Sequence, residues 1–368
     1  MEKFDQPVNT PKIHPIRIRA SEFKKILMTS FASQQNLRRL AVFVLLFCCV
    51  CWGFSFPAMQ RAAALLEQTV KTKSALQPDL RLSVALRATF NGWRFGSAAL
   101  LYLLLTGLRP RRYSTSDYIG VITVGAAFGF GIFLQILGLR YTIPSISGFL
   151  TSLAVIFAPL AQSILFRRRV GLRTWLAVIF AVVGILLLSR PNPGASAAQT
   201  VTLTPPFPHL GEILTILGSL LFTTQILALD HFGQSANSIH LTTVMLFTCA
   251  AVNLMGGLAL CGRHLYNTKI LLPLFTNSAF LTQFSILIIF SSVVALHLMN
   301  RFQPLLTAAT ASVIYCAEPV FVVLFSVALS NERFTAITAI GGAVTLLAVL
   351  IVIPTGSSTN PAHPPATP

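Results

Sequence analysis

Apolar runs recur along this chain from Leu40 to the C-terminal tail, separated by short polar gaps. Each is about 20 residues long, so as a helix rising ~1.5 Å per residue it covers the roughly 30 Å of a bilayer's hydrocarbon. The runs are continuously apolar rather than alternating, which excludes a transmembrane β-barrel. Composition agrees: 54% of the 368 residues are hydrophobic and 10% are charged, against roughly 25% charged in ordinary soluble domains. With a mean hydropathy of +0.73, the solvent for most of the chain is lipid, and a soluble enzyme is excluded. The net charge of +17 sits in the N-terminal tail and the gaps between runs, as topology signals do; nucleic acid is not an expected partner.

The runs predict an all-α membrane protein with ten transmembrane helices, at 40–60, 87–107, 117–138, 143–166, 173–190, 209–229, 240–261, 275–298, 306–329 and 334–354. Residues 1–39 form a basic N-terminal tail with no signal-peptide pattern, in which 23–40 fits either a helix lying on the inner surface or an unstructured segment. Two longer connections are expected: 61–86, with Glu67, Lys71, Lys73, Asp79 and Arg81, and the proline-rich linker 191–208. Residues 355–368 form a short proline-rich tail. With the N-terminus inside, 16 of the 27 Lys and Arg residues fall on the inner side and 10 on the outer, so both termini are expected in the cytoplasm.

A faint internal repeat organises these spans. Setting Glu318-Pro319-Val320-Phe321 against Ala154-Val155-Ile156-Phe157 gives an offset of 164, which also pairs Leu324 with Leu160, Leu329 with Leu165, Arg333 with Arg169 and Thr338 with Thr174. Five helices then fall in each half, 40–190 and 209–354. Because five is odd, the second half enters the membrane inverted. Such repeats place a solute site near the midplane and permit alternating access by rocking.

Motifs in the runs resemble those of the EamA-type members of the drug/metabolite transporter superfamily: Trp52-Gly53-Phe54-Ser55-Phe56, Arg94-Phe95-Gly96-Ser97-Ala98-Ala99-Leu100, Glu318-Pro319-Val320-Phe321 and Asn331-Glu332-Arg333. The resemblance covers about 40–354 and implies a ten-helix bundle in the inner membrane that moves small organic solutes, often outward. Two departures stand out. The position aligned with Glu332 is Arg168, where relatives often carry a second Glu, and the connection 61–86 is longer than the family pattern.

Several polar groups fall inside the spans. Glu318 lies near the middle of the ninth, where a carboxylate costs roughly 2.5 kcal/mol or more and must face protein or water. Removal from water disfavours its charged form. It is therefore the leading candidate to bind a cationic group or couple a proton; a structural hydrogen bond to neighbouring helices is the alternative. Pro319 removes a backbone bond and marks a hinge or a static kink. Arg94 either snorkels to the interface or turns inward to a solute anion or to Glu318. Trp52, Gln135, Gln225, His297 and Tyr315 belong in a cavity or at helix interfaces, and His297 could join a proton relay or meet water at the inner end of its span.

Small-residue pairs at Gly125/Gly129, Gly148/Ser152 and Ala308/Ser312 are expected to bring helices close together, and Glu332 is expected to favour the start of the tenth helix. The cysteines Cys48, Cys49 and Cys51 have no nearby His or second Cys pair, so packing is expected and no metal or other cofactor.

The function these features predict is a secondary transporter, exporting metabolites or drug-like solutes and proton-coupled through Glu318. A carrier of phosphorylated solutes or nucleotide sugars ranks lower because Arg94 is the one clear intramembrane cation. An intramembrane enzyme lacks an acid pair, since no Asp is expected deep in the membrane, Asp117 standing at the edge of the third span, and no phosphate-binding glycine loop supports an ATP-driven pump. A receptor or scaffold would need a soluble domain that neither tail supplies. The expected partners are a small-molecule solute and lipid; a homodimer is compatible with the sequence.

Overall fold

Backbone surrounded by hydrocarbon must close its own hydrogen bonds, and every described element is helical. The computed structural model describes residues 20–73, 80–107, 115–138, 141–142, 144–189, 208–234, 236–261, 272–330 and 334–353. In chain order the helices are α1 (Ala20–Lys73), α2 (Leu80–Thr106), α3 (Thr115–Gly138), α4 (Pro144–Thr151), α5 (Ala154–Ile164), α6 (Leu172–Leu188), α7 (Leu210–Phe232) and α8 (Ser238–Cys261). They are followed by α9 (Ser278–Ile286), α10 (Ala295–Phe302), α11 (Ala308–Tyr315), α12 (Glu318–Ser330) and α13 (Ala336–Val352). A π-helical turn, Leu287–Val294, joins α9 to α10.

Among the described residues, seven spans are long and apolar enough to cross a membrane: within α1, α3, α7 and α8, and across α4–α5, α9–α10 and α11–α12. The apolar helices α6 and α13 are shorter, 17 residues each. The remaining 27-residue helix, α2, carries Asn91 and Arg94 within its length. The outer surface is apolar, with Leu104 84% and Leu172 76% exposed, a surface that water would not tolerate but lipid does.

Three expectations about the chain's course are corrected. The helix predicted at 40–60 is the middle of a 54-residue helix, about 80 Å long. Residues 20–39 are therefore helical and continuous with the first span, neither an unstructured tail nor a separate surface helix. The connection expected at 61–86 is helix at both ends, in α1 and α2, because Ala62, Ala63, Ala64, Leu65 and Leu66 are strong helix formers and Ala62, Ala63, Leu66 and Val70 are buried against α2 and α9. The fourth, eighth and ninth spans are also interrupted rather than continuous. Turns at Ser152–Leu153 and Cys316–Ala317 split two of them. The linker 191–207, residues 1–19 and 354–368, and the Asn331-Glu332-Arg333 motif lie outside the described residues.

Helices approach most closely where side chains vanish. A Cβ on Gly184 of α6 would stand 2.8 Å from the Gly341 carbonyl oxygen of α13, and one on Gly341 2.9 Å from that of Gly184. Gly125 and Gly129 let α3 lie against Met245 and Cys249 of α8, as their spacing predicts. The Gly148/Ser152 pair does not behave this way. Nothing lies within 4 Å of a Cβ built on Gly148, and the Ser152 hydroxyl donates to the Gly148 carbonyl instead. Ala308 and Ser312 are buried as expected, inside the core shared by α1, α6, α11 and α13.

Candidate functional site

The motifs of α1 and α12 meet face to face, and this places the central groups. A Cβ on Gly53 would stand 2.5 Å from Phe321 Cβ and 2.8 Å from the Phe321 carbonyl carbon, so only glycine fits where the two backbones touch. Beside it Phe54 meets Phe325 edge-on, with centroids 5.2 Å apart. Pro57 lies inside α1 and cannot donate to the Gly53 carbonyl four residues earlier. One turn back, the Ser55 hydroxyl donates to the Trp52 carbonyl at 2.7 Å.

From this contact the polar groups extend across the bundle. The Trp52 ring sits 5.7 Å from Tyr315 at 58°, while its indole N–H donates to the Ser291 carbonyl at 3.2 Å. Arg94 Nη2 donates to the Ser291 hydroxyl at 2.6 Å and Nε to the Ser292 hydroxyl at 2.9 Å. The Tyr315 hydroxyl donates to Gln303 Oε1 at 2.7 Å, and Gln303 Nε2 continues to the Ile226 carbonyl of α7 at 3.0 Å.

Glu318 opens α12, with Pro319 in the first turn, where its missing N–H deprives no helical bond. The bend predicted at Pro319 is thus a break one turn earlier. Cys49, Tyr315 and Cys316 lie within electrostatic reach of Glu318. The residue is half-buried, and no hydrogen bond or ion pair joins its carboxyl to another described residue. Its carboxyl is therefore not held by a structural bond among the described residues. Further along α1, Arg61, Leu65, Gln68 and Gln283 border a hollow of about 450 Å³ between α1 and α9, and Arg61 donates to the Leu329 carbonyl at the end of α12.

The structure links Arg94, Trp52 and Tyr315 through Ser291, with Glu318 within electrostatic reach of Tyr315, and the interfacial alternative for Arg94 is overturned: the residue is only 7% exposed. The other three sit apart. Gln135 Nε2 donates to the Thr151 hydroxyl at 3.1 Å, and Ser219 donates to the Thr151 carbonyl at 3.0 Å, so both brace the α4–α5 break. Gln225 is buried against the Met299 sulfur at 3.8 Å. His297 Nδ1 shares a 2.7 Å hydrogen bond with the Tyr102 hydroxyl, one turn before Asn300, which donates to Thr242 at 3.0 Å. Cys48 and Cys49 point to different carbonyls, of Ala295 and Ile314, and act as packing thiols between α1 and its neighbours.

Ser291, Ser292 and Gln303 were missed; consecutive serines in an apolar run were the available signal. Asp230 corrects the expectation of no deep intramembrane Asp, because α7 continues to Phe232 and buries it. Arg168 Nη1 donates to Asp230 Oδ2 at 3.2 Å, tying the connection after α5 to the end of α7. The exposures are unequal, 28% for the Arg side chain and 5% for the Asp. Removing the Arg takes the ion-pair partner from a buried carboxylate, whereas removing the Asp takes one from an Arg that already reaches water. Arg168→Gln is therefore expected to cost about 3 kcal/mol, the lower end for breaking a buried pair. Asp230→Asn should cost markedly less, as read by thermal unfolding in detergent; equal losses would contradict this asymmetry.

The fold and its buried polar groups define a polytopic helical membrane protein. Residues 79–190 and 209–353 each match the EamA-like transporter family, and the chain belongs to that family, a membrane transporter of small molecules. It is 28% identical over 264 residues to an uncharacterized transporter of Archaeoglobus fulgidus, covering 72% of this chain and 75% of that protein. A protein of known crystal structure shares the fold with a TM-score of 0.58 at 15% identity, covering 84% of this chain and 95% of the other.

Proposed function

We propose that this protein is a secondary carrier that exports a small organic solute across the inner membrane by alternating access, with Glu318 coupling transport to a proton and both termini in the cytoplasm. The observation that carries the reading is Glu318 itself: a carboxylate in mid-span, at a helix break, near Tyr315, whose carboxyl bonds no other described residue. A charge kept so deep without a structural partner is retained for what passes it.

Two further observations favour ten spans in two inverted halves. The family match falls separately on 79–190 and 209–353. In addition, α5 begins at Ala154 and α12 at Glu318, so the two interrupted spans restart at the offset of 164 that aligns the halves in sequence. Discontinuous helices at corresponding places are where carriers of this plan form their solute sites. The Arg168–Asp230 pair ties the two halves at one end of the bundle, and rocking would have to break or keep it as a unit. Uptake into everted vesicles, measured over a panel of labelled metabolites and toxic analogues with and without a pH gradient, tests the reading. Gradient-dependent accumulation of at least one solute above vesicles lacking the protein is expected, and equal levels throughout would refute it.

A further inference from the structure

Arg94 is a buried cation whose contacts are all neutral. Its Nε and Nη2 meet the hydroxyls of Ser292 and Ser291, its Nη1 meets only the Met59 sulfur at 4.0 Å, and the Phe95 ring lies 4.8 Å from the guanidinium carbon. The ion pairs found among the described residues are elsewhere, Glu67 with Arg87 and Asp230 with Arg168. Glu318 is not within ion-pair distance of Arg94. Neutral dipoles repay only part of what it costs to take a guanidinium out of water, so the site is electrostatically incomplete.

The way it is built points to what completes it. In a regular α-helix consecutive residues project about 100° apart, and two neighbours do not face one group. The π-helical turn Leu287–Val294 widens the backbone here and lets Ser291 and Ser292 both accept from the same guanidinium; such turns recur at functional sites. Each serine that accepts from Arg94 keeps its own hydroxyl proton to donate. Nη1 holds no oxygen among the described residues, only a weak sulfur contact that an oxygen ligand would displace. Nη1 and the two serine hydroxyl protons beside it are donors that one oxyanion with two oxygens can take.

We infer that the transported solute is an organic monocarboxylate, and that Arg94, with Ser291 and Ser292, selects it by its carboxylate while the Trp52 and Tyr315 rings accept its apolar body. A single cation suits one negative charge; a phosphate or pyrophosphate would call for several, and no second Lys or Arg contacts this site among the described residues. The inference rests on the carrier reading and narrows it to one chemical class.

The purified full-length protein in detergent tests this with phenylacetate and benzoate, the matching amides, and benzylamine, read as thermal-shift affinities and as counterflow in proteoliposomes. The wild type is expected to bind the carboxylates at least ~30-fold more tightly than the amides, the scale for pairing a charge against leaving it unpaired. Arg94→Gln should lose that preference, and Arg94→Lys should keep it with weaker affinity. Equal binding of carboxylate and amide by the wild type, or unchanged selectivity in Arg94→Gln, overturns the inference, and the wild-type comparison requires no variant to fold. Counterflow of amides or amines at the same rate by wild type and Arg94→Gln overturns it while leaving the carrier reading intact. No binding and no counterflow of any compound counts against both.

Discussion

Replacing Glu318 with Gln is expected to abolish gradient-driven accumulation, by tenfold or more, while the protein remains folded and still exchanges solute across the membrane without a gradient. The substitution keeps the side chain's size and its ability to hydrogen-bond, and removes only the group that can gain and lose a proton. A structural role predicts a different pattern. Were Glu318 holding helices together, Gln would lower the unfolding temperature and reduce every transport mode alike. The geometry argues for the first outcome, since no described residue bonds the carboxyl. The one structural benefit it offers, a negative charge at the start of α12, is worth about 0.3–1 kcal/mol. That is too little to unfold the bundle, whereas losing a coupling group costs about 1.4 kcal/mol for every tenfold in the driven step. Proteoliposomes with an imposed pH gradient separate the cases: driven accumulation by Glu318→Gln equal to that of the wild type would remove the residue from the coupling step.

How far the sequence predicts this site depends on which physical signal each part emits. Apolar runs mark where backbone crosses lipid, and the seven apolar spans among the described residues follow them. Hydropathy carries no information on which side of a helix faces a cavity, which is why Gln135, Gln225 and His297 were grouped with Trp52 and Tyr315 yet brace separate places. The long reach of α1 was hidden because Arg61, Glu67, Lys71 and Lys73 look like a loop to a hydropathy argument, although Ala62 to Leu66 are strong helix formers. The breaks at Ser152–Leu153 and Cys316–Ala317 have no glycine or proline at the turn itself. They depend on partners from other helices, Ser219 at one and Cys49 at the other, and so become visible only in three dimensions. The π-helical turn likewise has no marker in Leu287–Val294, yet it decides what Arg94 touches.

The same reasoning predicts the largest effect of a residue with no chemistry of its own. Gly53→Val is expected to remove transport almost entirely and to lower stability by about 3 kcal/mol, the upper range for overpacking a close contact. Its first added carbon would lie 2.5 Å from Phe321 Cβ, 2.8 Å from the Phe321 carbonyl carbon and 2.9 Å from the Val322 nitrogen. Those are mainly backbone atoms, so no rotamer relieves the clash and α1 must separate from α12. Separation shifts Trp52 relative to Tyr315 and pulls Cys49 from the Ile314 carbonyl at the break, moving Glu318 with them. Gly53→Ala introduces that first carbon alone and should fall between glycine and valine in both unfolding temperature and transport. Gly148→Ala supplies the control. Nothing lies within 4 Å of its new carbon, and alanine there is expected to leave stability unchanged or raise it by about 0.5–1 kcal/mol. A Gly53→Val protein with wild-type unfolding temperature and transport would mean that α1 and α12 do not touch at this glycine.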